Sequence, residues 1–147
     1  MYMSKIMIAV DFSSYSASVI AAGMELARST KSSVVLLSIL DKAAELIPSI
    51  EGGESSDEWT RRVQDIATRL NVFAADYSDV AVSVSAIIGN PKEDILEQAA
   101  EQEIHTLVLG THGRTGLDHL LVGSTAEFVI RHSTIPVLVV PYKQTKH

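Results

Sequence analysis

The densest chemistry in the chain lies in residues 110–125, Gly110-Thr-His-Gly-Arg-Thr-Gly-Leu-Asp-His-Leu-Leu-Val-Gly-Ser-Thr125. Glycine lets backbone N–H groups approach an anion closely, because no Cβ stands in the way. Gly110 and Gly113 offer such a turn, with Thr111 and His112 between them and Arg114 adding a cation. Gly123 then opens a helix whose first amides are unpaired, at the positive end of its dipole, beside the hydroxyls of Ser124 and Thr125. The chemistry this composition suits is the holding of phosphate. Neither common phosphate loop is present: the chain has no Gly-Lys-Ser/Thr, and its first strand leads into Asp-Phe-Ser-Ser without a glycine. Spacing alone leaves a plainer alternative open, in which the glycines only form turns.

The elements that must position this segment follow from apolar periodicity. Strands are expected at Ile6–Val10, Val34–Leu40, Val80–Ile88, Thr106–Leu109 and Val137–Val140. The first, second and last are nearly continuous in apolar residues, as strands covered on both faces are. The third alternates, Val80, Val82 and Val84 against Ser83 and Ser85, which suits a strand near the sheet edge. Helices are expected over Ala17–Arg28, with Ser13 or Ser14 as N-cap, over Glu58–Ala75, from Pro91 through Ala99, and over Ala126–Arg131. In the second of these, Val63, Ile66, Leu70 and Phe73 form the inner face.

Strand and helix therefore alternate, which predicts one α/β domain over residues 1–147: an open five-stranded parallel sheet of Rossmann-like form, order 3-2-1-4-5, with helices on both faces. Residues 41–57, with Pro48, Gly52, Gly53 and a Ser-Ser pair, read as a mobile excursion. In such a sheet ligands sit beyond the carboxyl ends of the strands, where the strand order reverses. That crevice lies between the ends of strands one and four, at Asp11 and Gly110. An acid at one and a glycine loop at the other suit a ribose acceptor facing a phosphate cradle.

At this point the chain resembles the universal stress protein family. Gly110-x2-Gly113-x9-Gly123-Ser124 matches that family's ATP-binding pattern, and Ala-Val-Asp-Phe-Ser, Leu-Leu-Ser-Ile-Leu-Asp, Gly89-Asn-Pro91 and Pro136-Val-Leu-Val-Val are similar to it at their expected places. The resemblance implies an ATP site, with Mg2+ accompanying the nucleotide. Asp11 would bond the ribose, and main chain near Ala9, Val10 and Ile39 would flank adenine. Gly110, Gly113, Gly123, Ser124 and Thr125 would hold phosphates, with Thr111, His112 and Arg114 in the same loop. Ser38 stands where many members carry histidine. Related proteins dimerise through the last strand, which implies a homodimer across Pro136–Pro141. The resemblance also implies a fold like that of the adenine nucleotide alpha hydrolases.

Other features narrow the function. The net charge of −6, from 18 acidic and 12 basic residues, works against nonspecific nucleic-acid binding. No segment approaches the roughly 18–20 apolar residues that cross a bilayer, and no cysteine is present, so a soluble, cytoplasmic protein is expected. His119 and His132 read as surface residues, and no paired metal-ligand spacing or Gly-x-Ser-x-Gly elbow occurs. Fast phosphoryl transfer needs a positioned base, a metal-holding carboxylate and cations, and residues 110–125 offer only Arg114 and Asp118. A nucleotide-binding regulatory or stress-response module, with slow or no hydrolysis, is the expected function; an ATPase or an adenylyl- or phosphoryl-transferring enzyme is the alternative.

Overall fold

The computed structural model describes residues 3–43, 56–111 and 122–141. Among these residues nine elements alternate: β1 Lys5–Ala9, α1 Ser16–Thr30, β2 Ser33–Leu40, α2 Ser56–Ala74, β3 Val82–Ile88, α3 Pro91–Glu101, β4 Thr106–Gly110, α4 Ser124–His132 and β5 Val137–Val140. The strands form one sheet in the order β3-β2-β1-β4-β5. Every neighbouring pair is parallel.

Alternation along the strands divides the core in two. Ile6, Ile8 and Val10 point with Val34, Leu36 and Val108 to the face covered by Val19, Ile20, Met24 and Ala27 of α1 and Leu70 of α2. Met7, Val35, Leu37, Leu107 and Leu109 point to the other face, under Ile95 and Ala99 of α3 and Ala126 and Val129 of α4. The inner strands are apolar on both sides for that reason. β3, at one edge, has no fully buried residue, as its alternation predicts.

Two local features fix α1 against the sheet. A Cβ on Gly23 would stand 2.4 Å from Ile8 Cδ1 and 3.5 Å from Val108 Cγ1, so glycine lets α1 lie directly on β1 and β4. At the far end of α1, Arg28 donates from Nε and Nη2 to Asp79 at 2.6 and 3.1 Å, tying α1 to the turn before β3. The Arg28 hydrogen bond holds the Asp79 carboxyl below the usual carboxylate range.

Element ends differ from the sequence expectation where side chains intervene. The N-cap of α1 is Tyr15, not Ser13 or Ser14, and no side chain caps it. The reason is Asp11, whose Oδ1 accepts from Ser13 N at 2.9 Å and Ser16 Oγ at 3.1 Å, so the carboxylate winds the turn that the serines were expected to cap. Of the excursion expected over residues 41–57, α2 takes the end from Ser56 onward, and residues 44–55 lie outside the described residues. Among the described residues no helix is long and apolar enough to cross a membrane.

Candidate functional site

A cleft of about 520 Å³ opens beyond the carboxyl ends of the strands, within the roughly 300–1,000 Å³ of pockets that hold small ligands. Its position follows from topology: β1 pairs with β2 on one side and β4 on the other, and the chain winds in opposite senses from that junction. Ala9, Val10, Asp11, Ile39, Gly110, Thr111, Gly123, Ser124 and Thr125 all line it. The remaining expected residues, His112, Gly113 and Arg114, lie outside the described residues.

One end of the cleft is built by α4. Gly123 is its N-cap, with extended backbone and no side chain to cap the helix. Its N–H is already committed, donating to Thr111 O at 2.5 Å, which closes the base of the loop. The first intrahelical bond at this end runs from Glu127 N to Gly123 O, so the amides of Ser124, Thr125 and Ala126 are the ones left without a helical acceptor. α3 is the contrast: Asn90 Oδ1 accepts from Lys92 N at 3.0 Å, and Asp94 Oδ2 accepts from Asn90 N at 2.7 Å. Among the described residues, side chains cap α3 and none caps the start of α4.

Gly110 lines the cleft at the end of β4. It is the last residue of β4, in register with Val140, and Thr111 N continues the ladder to Val140 O at 3.1 Å. Gly110 is therefore held in the β4–β5 ladder. Asp11 sits across from it beyond β1. Its Oδ1 accepts from Ser13 N and Ser16 Oγ, which fixes the carboxylate at the mouth of the cleft.

The other end is built by α2, and sequence reasoning overlooked it. Arg62, Asp65, Ile66 and Arg69 line the cleft at three- and four-residue spacing. Arg62 and Arg69 are its cations among the described residues. Trp59 lies under both Lys42 Nζ, 4.8 Å from the ring centroid, and Arg62 Cζ, at 5.1 Å, joining the end of β2 to α2. The signal was present: these positions precede the apolar stripe of Val63, Ile66 and Leu70 by one residue, on the flank that faces the strand ends.

The histidines stand apart from this site where they are described. His105 Nδ1 accepts from Lys5 N at 3.0 Å and its own N–H donates to Lys5 O, so it extends the β1–β4 junction. His132 is exposed and stacks on Phe128 at 4.2 Å.

The model of the universal stress protein family matches residues 3–141. The chain belongs to the universal stress protein family. Among curated members, universal stress protein MJ0577 of Methanocaldococcus jannaschii is 31% identical over 112 residues, 75% of this chain and 68% of that protein. Universal stress protein YxiE of Bacillus subtilis is 27% identical over 146 residues, covering 93% and 98%. The solved structure of MJ0577 superposes with a TM-score of 0.76 at 26% identity, covering 99% of this chain and all of that one. Two more distant structures share the fold: a universal stress protein in complex with cAMP, at TM-score 0.69 and 18% identity over 96% and 98%, and one from Archaeoglobus fulgidus in complex with dAMP, at 0.65 and 20% over 94% and 97%.

Proposed function

We propose that this universal stress protein binds an adenine nucleotide, ATP foremost, in the cleft between Asp11 and α4, and works as a nucleotide-dependent regulatory module in the cytoplasm. The observation that carries the reading is the uncapped start of α4, facing Asp11 across a cleft of about 520 Å³. Free amides and a positive dipole end take phosphate, and a carboxylate takes ribose hydroxyls. The cAMP and dAMP held by two proteins of the same fold support an adenine ligand. Mg2+ is usually held by one or two carboxylates plus substrate phosphates. The cleft is lined by Asp11, Asp41 and Asp65, and an ion accompanying the nucleotide would be shared between its phosphates and a carboxylate of this kind.

Hydrolysis is expected to be slow or absent. Fast transfer needs a positioned base, a metal-holding carboxylate and cations at the transferred group, and the glycine segment brings only Arg114 and Asp118 to that end. Incubating purified protein with ATP and Mg2+ while following bound and hydrolysed nucleotide tests both halves. Stoichiometric binding with far less than one turnover per minute is expected; rapid multiple turnover would make the protein an enzyme.

The same reading includes a homodimer through Pro136–Pro141. β5 is a sheet edge with Leu138 38% exposed, and an apolar edge that stays unpaired is an aggregation hazard. A second copy pairing across a two-fold axis covers it. Light scattering over a dilution series should give twice the chain mass for the parent and a lower mass for Leu138→Lys or Val139→Lys. A monomeric parent at micromolar concentration, or lysine variants of unchanged mass, would exclude this interface.

A further inference from the structure

Among the described residues that line the cleft, Phe12 is the one non-glycine residue whose backbone lies in the left-handed region, at φ 60°. The other described non-glycine residues with positive φ, Lys31 and Glu103, follow α1 and α3 directly, where a left-handed residue is an ordinary helix ending. Phe12 follows no helix. It comes straight after Asp11, and the left-handed turn sends two successive side chains apart. The Asp11 carboxylate goes to the Ser13–Ser16 turn, and the Phe12 ring goes to α2. Backbone of this kind persists where the surroundings impose it, and it concentrates at ligand sites.

On α2 the Phe12 ring meets two residues one turn apart. Phe73 stacks with it at a centroid separation of 6.3 Å and 30°. Arg69 Cζ lies 4.0 Å from its centroid, close enough to sit over the ring face and not at its edge. Among the described residues no carboxylate pairs with Arg69, although Asp65 stands one turn before it and lines the same cleft. Arg28 and Arg131, by contrast, are paired with Asp79 and Glu127. Arg69 is exposed and lines the cleft.

Position assigns Arg69 a partner. α2 packs over β2 and β3, whereas α4 packs on α3 and β5, so the two helices stand at opposite ends of the cleft. With phosphates at α4 and ribose at Asp11, the rest of the nucleotide runs toward Ile39 and α2. A guanidinium is planar and stacks on aromatic faces, and nucleobases stack on guanidinium planes as they do on aromatic rings. We infer that Arg69, held over the Phe12 ring, is the surface on which the nucleotide base stacks. The inference rests on the adenine-nucleotide reading above and adds the residue that holds the base.

Titration calorimetry with ATP and with AMP, on the parent, Arg69→Ala, Arg69→Lys and Phe12→Leu, tests it. Arg69→Ala should weaken ATP and AMP alike by roughly tenfold, since a stacking contact acts on the base and is blind to phosphate number. Arg69→Lys should lose as much, because an ammonium keeps the charge and lacks the plane. Phe12→Leu should weaken binding in the parent and add little on the Arg69→Ala background. Thermal melts confirm that each variant is folded. Unchanged affinity in Arg69→Ala overturns the inference while leaving the nucleotide site standing. A loss larger for ATP than for AMP that Arg69→Lys repairs also overturns it, making Arg69 a phosphate contact. A parent that binds neither nucleotide removes the site itself, and the inference with it.

Discussion

Replacing Gly123 with aspartate is expected to lower ATP affinity at least a hundredfold while leaving the fold as stable as before, or slightly more so. The opposite signs come from one position. Gly123 has φ −61° and ψ 158°, extended backbone that any residue adopts, so the substitution imposes no strain. Aspartate is a better N-cap than glycine by a few tenths of a kcal/mol, and its charge suits the positive end of the α4 dipole by roughly 0.3–1 kcal/mol. That same carboxylate takes up the amides proposed to receive phosphate and sets a negative charge against it. Two like charges about 4 Å apart near a protein surface repel by about 4 kcal/mol, so a loss of at least ~2.7 kcal/mol, or a hundredfold, is expected. The loss should grow from AMP through ADP to ATP. Calorimetric titration and a melting curve on the same sample measure both signs. A variant that melts normally and binds ATP like the parent would remove phosphate from α4.

Asp11 should behave in the opposite way across the nucleotide series. Asp11→Ala is expected to weaken ATP, ADP and AMP by similar factors, roughly tenfold or more, because a hydrogen bond to a charged acceptor contributes about 1.5–3 kcal/mol and the ribose is common to all three. The parent should also prefer ATP to its 2′,3′-dideoxy analogue, and the variant should not. Asp11→Ala will cost stability as well, since Ser13 N and the buried Ser16 hydroxyl lose their acceptor. Asp11→Asn separates the two roles: its amide oxygen can still serve the turn, so the melting temperature should return while ribose preference remains weakened. A loss confined to the triphosphate would place Asp11 on magnesium instead of ribose.

Much of this was readable before the fold was known. The order of apolar runs predicted the sheet, and the sheet put Asp11 and Gly110 at the ends of adjacent strands, which is a topological consequence and needs no side-chain detail. What escaped depended on contacts between distant segments. Ser13 and Ser14 have the composition of N-caps, but Asp11 reaches the turn first. Arg62, Asp65 and Arg69 read as the solvated flank of an amphipathic helix, and only the packing of α2 on β2 and β3 turns that flank toward the strand ends. The left-handed turn at Phe12 has no local signal, because phenylalanine does not favour it; tertiary contacts with Arg69 and Phe73 accompany it. Gly113, the centre of the family's glycine pattern, is outside the described residues, and its part is carried by the resemblance alone.

The central claim is that the start of α4 holds the phosphates of a bound adenine nucleotide, and amide chemical shifts read it residue by residue. In a uniformly 15N-labelled sample titrated with ATP and Mg2+, the resonances of Ser124, Thr125 and Ala126 should move together and saturate at one nucleotide per chain, and adenosine should leave them nearly still. Saturable binding that leaves those three amides unmoved, or a shift of the same size with adenosine, would contradict the account.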